Sequence, residues 1–575
     1  MDKHAIAAVL NEIGTLMELQ GQNPFRARAF YSAARAVESL DGDVAALARS
    51  GELAAVRGVG PATAEVAREL VETGISTVHR ELREATPDGL FDVLGVPGLG
   101  AKRIHTLHRE LGIASLDDLE RAARDGRIAA LSGFGAKTQE KILEGVAFLR
   151  SMAGRRRWPE GNGIAEWVCE QLRGHPSIAR LGVAGAVRRL LETVDGVELI
   201  AAAEDAAAVL RAFEELPGVG SVEREGEGAA RVRLSDGVWA RLRCVAPGSF
   251  AAALAHATGS DEHWGALVAH AAGLGLELTD AALLRDGAPV DLADEAALYA
   301  ALGLAYVPPE LREGRGEVEA ARAGALPRLV AYDDLRGCFH CHTTYSDGRA
   351  SVREMAEAAR ARGWRYLGIA DHSRAAAYAG GLSPDEIRRQ HEEIDAWNEE
   401  RGHELWLFKG IEADILPDGR LDYEDGDEEV LASFDYVVGS VHSSFGLSEA
   451  EQTKRVVRAV SNPYLTFLGH PTGRLLLSRR GFAIDLDAVI DAAAAHGAAI
   501  EINANPWRLD LDWRYWRAAR EKGVRTAINP DAHDTDGLDH VRYGVAVARK
   551  GWLGAEDVVN AWDVEAVKGY FRRRR

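Results

Sequence analysis

The sequence predicts a multidomain protein whose first part is all α-helical and whose last part is an α/β barrel. Its 575 residues exceed what one hydrophobic core organises, so several domains are expected. Residues 1 to about 150 show helical spacing of apolar residues, interrupted by short glycine turns. From about residue 336 onward, seven apolar strand-like runs alternate with polar, Ala-rich helical segments, a pattern typical of a parallel sheet.

The periodicity predicts individual helices in both parts of the chain. In the first part these are 3–19, 24–39, 44–50 and 61–72. In the last part they are 352–362, 384–400, 486–496 and 512–522.

Composition and charge narrow the class of protein. With 47% hydrophobic and 27% charged residues the chain is globular. It lacks an apolar run of about 18 residues and a signal-peptide pattern, so we expect no membrane partner and a cytoplasmic location. Four cysteines make no disulfide framework, which agrees with a reducing compartment. A net charge of -20 is unusual for a DNA-binding protein, but backbone amides and local basic patches can still hold DNA.

The stretch Cys338 to Gly348 reads C-F-H-C-H-T-T-Y-S-D-G. Alternate side chains of a strand share one face, so His340 and His342 are expected to point the same way, with Asp347 in the turn that follows. Two imidazoles and a carboxylate suit a borderline divalent metal. A histidine pair on one strand is more often packed or solvated than metal-binding. The remaining strands therefore decide whether this pair binds a metal.

Each later strand-like run also stops on a potential metal ligand. Seven such units suggest a closed, barrel-like sheet whose site lies at the carboxyl ends of the strands. Six histidines that each close a hydrophobic strand favour a metal cluster over unrelated packed side chains. His391, His403, His496 and His540 lie in helical or loop contexts and are not expected to be ligands. The residues that close the runs are Asp371, His372, Glu412, His442, His470, Glu501, Asn503, Asp531 and His533.

These motifs resemble the PHP (polymerase and histidinol phosphatase) domain over about 336 to the C-terminus. The matching segments are H-x-H, S-D-G, D-H-S, G-I-E-A-D-I, G-S-V-H, L-G-H-P and D-A-H. The resemblance implies a distorted seven-stranded barrel with a trinuclear metal centre and a working phosphoesterase. Carried over residue by residue, it implies nine metal ligands: His340, His342, Asp347, His372, Glu412, His442, His470, Asp531 and His533.

Three Gly-x-Gly turns precede predicted helices in the first part of the chain. Such a turn exposes backbone N–H groups at a helix N-terminus, where a phosphate binds well. One copy is usually a tight helix–helix turn, but three similar copies resemble helix-hairpin-helix elements, which grip the DNA backbone without reading sequence. Lys102 and Lys137 add positive charge. The glycines are Gly58, Gly60, Gly98, Gly100, Gly133 and Gly135.

The order of these parts resembles the bacterial family-X DNA polymerases, which join a polymerase core to a C-terminal PHP domain. The matching segments are 21–26, 185–194, 257–263, 306–312 and 316–319. The resemblance implies all-α helix-hairpin-helix domains, an α+β nucleotidyltransferase-like palm and thumb, and the PHP barrel. The expected boundaries are 1–85 (lyase-like helical domain), 86–150 (fingers-like domain), 151–325 (palm and thumb), 326–335 (linker) and 336–575 (PHP domain).

The catalytic carboxylates of the family's polymerase site are missing. The family's Asp-x-Asp falls on Gly196 and Glu198, and its third Asp falls on Arg241, whose charge would repel metals. In a regular strand Asp195 would face away from Glu198. The polymerase site is therefore expected to be degenerate and inactive. The lysine of the family's deoxyribose-phosphate lyase falls on Val66, so lyase activity is not expected either.

The favoured interpretation is a DNA-processing phosphoesterase acting in DNA repair. The resemblance implies 3′-5′ exonuclease activity and, in some members, abasic-site cleavage or 3′-phosphate removal, with Glu412, His340 and Asp531 as the leading catalytic residues. The expected cofactors are three divalent metals, Mn²⁺ or Zn²⁺. The expected partner is DNA with gaps, nicks or 3′ ends, bound by a monomer. Three cations, Arg374, Lys409 and Arg474, are either phosphate clamps or surface charges.

Three other functions are compatible with the sequence: a working family-X polymerase, a PHP phosphatase for a small phosphate ester, and a non-catalytic DNA-end scaffold. Templated nucleotide incorporation would support the first. Turnover of small esters without DNA affinity would support the second. The retained metal ligands count against the third.

Overall fold

A computed structural model describes residues 1, 3–38, 40 and 43–574, without the side chains of residues 4 and 574. The chain divides into two compact units, Met1–Ala153 and Gly154–Arg575. Among the described residues, no helix is both long and apolar enough to cross a membrane.

The first unit is built from helices, as predicted. Two predicted helices have the observed bounds, 61–72 extends by one residue, and the helix expected over 24–39 ends at Glu38, with Ser39 outside the described residues. Asp43, Ser76 and Ser115 cap three of the helices by accepting a backbone N–H. The helices are α1 Lys3–Leu19, α2 Pro24–Glu38, α3 Val44–Ser50, α4 Pro61–Thr73, α5 Thr77–Glu84, α6 Gly89–Leu94, α7 Ala101–Leu111, α8 Leu116–Arg124 and α9 Ala136–Met152.

The second unit begins with α+β structure around a five-stranded sheet in the order β2-β4-β7-β6-β5. Its central pair, β4 and β7, is parallel, and the other pairs are antiparallel. The strands are β1 Arg156–Arg157, β2 Ile178–Ala184, β3 Thr193–Val194, β4 Gly196–Ala203, β5 Val219–Arg224, β6 Ala229–Leu234, β7 Trp239–Val245, β8 Leu276–Leu278, β9 Leu283–Arg285 and β10 Ala288–Pro289. The helices are α10 Trp158–Leu172, α11 Gly185–Arg188, α12 Ala206–Glu214, α13 Phe250–Thr258, α14 Asp261–Gly273, α15 Glu295–Ala301 and α16 Glu317–Ala323.

The C-terminal part is a seven-stranded parallel sheet in sequential order, which a bridge between Cys341 and Ala532 nearly closes into a barrel. This confirms the predicted fold class. The strands are β11 Gly337–Cys338, β12 Tyr366–Ile369, β13 Trp406–Asp414, β14 Tyr436–Ser440, β15 Phe467–Leu468, β16 Ala499–Asn503 and β17 Thr526–Asn529. The helices are α17 Val352–Ala361, α18 Pro384–Arg401, α19 Glu428–Ser433, α20 Glu449–Val460, α21 Leu486–His496, α22 Trp513–Glu521, α23 Val541–Lys550 and α24 Val564–Arg574.

The first barrel strand differs from its prediction. It ends at Cys338, so His340 and His342 follow the strand instead of lying on it. The chain nevertheless stays extended there, because His342 N–H donates to Ala532 O at 2.8 Å. The two imidazoles therefore still share a direction. Glu412, by contrast, lies inside its strand, β13.

Aromatic side chains fill the end of the barrel opposite the predicted metal ligands. Phe339, Phe408 and Tyr436 pack together there with Phe571, a residue of α24. The Tyr436 hydroxyl donates to the carbonyls of Phe339 and Ile369. This end of the barrel is a packed core, which leaves the carboxyl ends of the strands as the place for chemistry.

A buried polar network joins the α+β part to the barrel. Glu192, on the loop before β3, accepts hydrogen bonds from Trp513 Nε1 and Arg514, both at 3.2 Å. Buried Lys550 donates to the Arg189 carbonyl at 2.9 Å and to Glu313 at 2.6 Å. The charges are paired, so the network fixes the two parts against each other.

Candidate metal centre

The nine predicted ligand residues converge at the carboxyl ends of the barrel strands. Three groups have ligand atoms that all lie within 4.8 Å of one another. His342, His372 and Glu412 each belong to two of these groups. The groups are His342, Asp347, His372 and His533; His340, His342 and Glu412; and His372, Glu412 and His442.

Glu412 is the centre of the arrangement. Its Oε1 lies 3.0 Å from His470 Nε2 and 3.2 Å from His442 Nε2. Its Oε2 lies 2.9 Å from His372 Nδ1. Burial would raise the pKa of the Glu412 carboxyl, but His442, His340 and His372 hold it well below its usual range. The carboxylate is therefore ionised, with both oxygens directed at imidazoles.

The other two carboxylates complete the cluster. Asp531 Oδ1 lies 3.3 Å from His342 Nε2 and 3.7 Å from His340 Nε2. Asp347 Oδ1 lies 3.4 Å from His533 Nε2. Asp531 has a φ of 51°, a left-handed conformation that costs free energy in a non-glycine residue and is typical of functional sites.

Residues behind the ligands orient the imidazoles. Glu501 Oε2 lies 2.7 Å from His340 Nδ1, and Asp414 Oδ1 lies 2.7 Å from His442 Nδ1. Each carboxylate accepts from Nδ1–H, which directs the other ring nitrogen, Nε2, into the cluster. The sequence marked Glu501 only as a residue that ends a strand and did not mark Asp414. Asp414 follows Glu412 by two residues on β13, and that spacing was the available signal.

Asp371, another strand-closing residue, supports a loop instead of facing a metal. Its carboxylate accepts from Thr343 N, Ser346 Oγ and Gln390 Nε2. It thereby holds the turn that presents Asp347.

The donor set fits divalent metals. Five imidazole nitrogens of the candidate ligands are buried and have no hydrogen-bond partner among the described residues, a costly state for polar atoms. They are His340 Nε2, His342 Nδ1, His342 Nε2, His372 Nδ1 and His470 Nδ1. Burial, with His533 and His372 nearby, lowers the pKa of His342 to about 3, so this ring is neutral and can ligate. Nitrogen and carboxylate donors together suit Mn²⁺ or Zn²⁺.

The cation at the metal cluster is Arg508, which sequence reasoning missed. Its Nε lies 3.4 Å from Asp531 Oδ2. The three cations weighed from the sequence have other partners: Arg374 pairs with Asp427 at 3.1 Å, Lys409 with Asp395 at 2.6 Å, and Arg474 with Asp512 at 2.9 Å. Arg508 follows β16 by five residues in an irregular loop, so no periodicity pointed to it.

The residues of the predicted degenerate polymerase site line a cleft of about 1270 Å³ on the five-stranded sheet. Glu198 on β4 is the register partner of Arg241 on β7, so the two stand side by side. Arg241 is ion-paired with Glu225 at 2.7 Å. Burial raises the pKa of Glu198, an effect that Arg241 and Arg189 oppose.

The neighbourhood of Gly196 leaves little room for a carboxylate. A Cβ at this position would lie 2.6 Å from the Trp239 carbonyl oxygen. Asp195 precedes β4, so the strand-alternation argument does not apply to it, and it lines the same cleft as Glu198. Its carboxylate is ion-paired with Arg155 at 3.0 Å.

The three glycine turns of the first unit share one conformation. Gly58, Gly98 and Gly133 have φ of 96°, 82° and 84°, a region that favours glycine. The middle residue of each turn is buried, and Gly60, Gly100 and Gly135 then cap α4, α7 and α9. Lys102 and Lys137 are exposed at the starts of α7 and α9. Val66 is in the core, 4% exposed.

Comparison with known families agrees with this architecture. The helix-hairpin-helix domain profile matches residues 1–76, and the SAM-like helix-hairpin-helix tandem profile matches 51–111 and 90–147. The DNA polymerase beta thumb matches 253–313, and the PHP domain matches 339–505. The fold and site thus define a PHP-type, metal-dependent barrel attached to a polymerase-like core. The helix-hairpin-helix and thumb domains indicate DNA as the partner.

Individual relatives identify the family more closely. The chain is 37% identical to "DNA polymerase/3'-5' exonuclease PolX" of Bacillus subtilis (strain 168), over 100% of both chains. A probable phosphatase of Thermoanaerobacter sp. (strain X514) is 27% identical over 41% of this chain and 94% of its own. The full-length match shows that this chain belongs to the family-X DNA polymerases of the PolX type, and the predicted resemblance is confirmed.

Substitution of Glu501, whose carboxylate hydrogen-bonds to His340 Nδ1, tests whether this site binds metal. We expect Glu501→Gln to weaken metal affinity by roughly 10- to 100-fold, because an amide orients and polarises the imidazole less well than a carboxylate. Titration of the metal-free protein with Zn²⁺ and a competing chelator measures this. Glu449→Gln, at an exposed position on α20, is the control. Equal affinities in the two variants would show that Glu501 does not support the centre.

Proposed function

We propose that this chain is a metal-dependent DNA-processing phosphoesterase that removes nucleotides from 3′ ends. The observation that carries the proposal is the convergence of nine candidate ligand side chains, Glu412 among them, with five buried imidazole nitrogens that have no hydrogen-bond partner among the described residues. The printed name of the full-length relative, which includes a 3′-5′ exonuclease, supports the same activity. Abasic-site cleavage and 3′-phosphate removal use the same bond chemistry and belong to this proposal.

The nine residues are assigned as ligands of three divalent metals, Mn²⁺ or Zn²⁺. Glu412 would be a ligand of these metals, because its two oxygens face different imidazoles. When bound, such metals polarise a phosphate and lower the pKa of a water.

The chain's own residues set the geometry of this reaction. Glu501 fixes the ring of His340 so that Nε2 faces the cluster. His340, Glu412 and Asp531 are the leading catalytic residues. Arg508, beside Asp531, presents a guanidinium to a non-bridging phosphate oxygen and neutralises charge there.

The substrates we propose are gapped, nicked or 3′-ended DNA, held by a monomer. Three turns with exposed backbone at helix starts, reinforced by Lys102 and Lys137, can grip phosphates. The proposed domain division follows the boundaries expected from the sequence: 1–85, 86–150, 151–325, 326–335 and 336–575.

We propose further that the polymerase site is inactive. Two-metal nucleotidyl transfer needs several carboxylates directed at one point. Here the nearest equivalents are Gly196, Glu198 and Arg241, and the Arg241 cation stands directly beside Glu198. The β4–β7 contact at Gly196 also leaves no space for a side chain. Because Val66 is an aliphatic core residue, lyase chemistry is absent as well.

Two other activities have specific support. The name of the full-length relative includes a DNA polymerase, which favours an active core with an unusual metal site. The relatives called probable phosphatases match 41% and 29% of this chain, which favours a small phosphate ester as substrate. The helix-hairpin-helix matches argue against the second, because a small ester needs no DNA-binding domain.

The metal ligands give the first test. We expect His342→Ala combined with Asp531→Ala to abolish Mn²⁺-dependent shortening of a 5′-labelled DNA strand while leaving DNA affinity nearly unchanged. The reason is that ligands and hairpins lie in different units. The readouts are gel electrophoresis and fluorescence anisotropy. His403→Ala with Asp333→Ala, both exposed, is the matched control. Undiminished shortening by the ligand variant would refute the site assignment.

The hairpins give the second test. Lys102→Glu with Lys137→Glu should weaken DNA binding and flatten its salt dependence, since each lost phosphate contact removes roughly 0.9 from the log–log slope. Anisotropy between low and moderate salt measures both quantities. Lys454→Glu with Arg365→Glu changes the net charge equally at exposed positions of the other unit and should have a smaller effect. If both pairs weaken binding alike, net charge and not the hairpins controls affinity.

A further inference from the structure

An exposed aromatic ring stands at the mouth of the metal cluster. Tyr378 is 74% exposed, although it belongs to a loop that starts at the ligand His372. Its ring centroid lies 6.3 Å from that of His372 and 6.5 Å from that of His442. Both imidazoles contact Glu412. A group bound at the cluster would therefore have this ring as its neighbour.

The loop holds the ring in a fixed place. Leu382 N–H donates to the His372 carbonyl at 2.9 Å, so the loop closes on the residue from which it started. The flanking residues Ala376 and Ala379 are buried, with exposed fractions of 0% and 5%, and anchor the short turn between them. A Cβ at Gly381 would lie 1.9 Å from the Ser373 carbonyl oxygen, so the two sides of the loop are in direct contact. Tyr378 is thus displayed by a tightly packed support.

The ring face is free to accept a partner. Within the described part of 336–575, only Tyr378 and Trp507 are large hydrophobic side chains with high exposure. The Trp507 ring is covered by the Arg157 guanidinium, 3.3 Å from its centroid.

We propose that Tyr378 forms a nucleobase-binding site, on which the base of the 3′-terminal nucleotide stacks while its phosphodiester lies at the metal cluster. This inference rests on the proposed nuclease function and deepens it. Base–aromatic stacking is sequence-tolerant, because every base has a π face. A stacking platform at the cluster selects nucleotides over other phosphate esters without selecting among the four bases. Tyr378 is a positioning residue for this reaction.

The experiment compares two strands in Mn²⁺: one with an ordinary 3′-terminal nucleotide, and one whose terminal nucleotide lacks its base. We expect Tyr378→Ala to lower kcat/KM for the ordinary strand by about tenfold, mainly through KM, and to leave the base-less strand unchanged. Tyr378→Phe should keep the parent rate, because the ring suffices. Tyr332→Ala, at a 40%-exposed tyrosine of the preceding segment, is the control and should change neither rate.

A binding measurement gives an independent readout. With His342→Ala present to keep strands intact, a 3′-terminal 2-aminopurine should lose fluorescence on binding, and Tyr378→Ala should restore that fluorescence. Equal loss of rate on both strands, or quenching that does not depend on Tyr378, overturns the inference. A parent that hydrolyses neither strand overturns the proposed function itself, and the inference with it.

Discussion

The burial of so many metal-binding groups around one carboxylate is the constraint on which the structure depends. Eight other side chains of the candidate metal centre lie around Glu412, which is itself 1% exposed. Unpaired polar atoms in this environment cost roughly 1–3 kcal/mol each. The protein alone satisfies only part of the set, because five imidazole nitrogens of these ligands have no hydrogen-bond partner among the described residues. Divalent cations would satisfy the remaining nitrogen atoms of such a site.

The architecture of the barrel brings these side chains together and orients them. Parallel strands bring their carboxyl ends to one edge, which gathers ligands that are far apart in sequence, such as His340 and Asp531. The opposite end is filled by aromatic rings, with Phe571 from α24 among them. Glu501 and Asp414 then fix two of the imidazoles from behind. Core packing, strand direction and the hydrogen bonds from Glu501 and Asp414 therefore together fix the positions of the imidazole nitrogens.

In the cleft of the α+β part, oppositely charged side chains lie beside one another. Where several carboxylates would hold metals, Glu198 stands beside Arg241, and Arg241 is neutralised by Glu225. These charges are thus paired with one another within the protein. The network of Glu192, Lys550 and Glu313 nevertheless keeps this part attached to the barrel. Under the proposal that this core is inactive as a polymerase, it would still position DNA for the metal centre.

The sequence predicted the helices, the barrel and the strand-end positions of the candidate ligands because each rests on a local pattern. An apolar run that stops on a histidine places that histidine at a strand end, whatever the tertiary details. The roles of Glu501 and Asp414 were not predictable in this way, since they depend on which carboxylate hydrogen-bonds to which imidazole. Arg508 and Tyr378 lie on irregular loops, where spacing carries no information about direction. The first barrel strand was predicted, but its early end at Cys338 was not, because the pairing of β11 ends before its extended backbone does.

The most direct measurement is one reaction with 5′-labelled, 3′-recessed DNA in Mn²⁺, run with and without deoxynucleoside triphosphates. The account predicts that the labelled strand shortens in both cases and that a chelator stops the shortening. A strand that grows when nucleotides are added would show a working polymerase core and contradict the central claim.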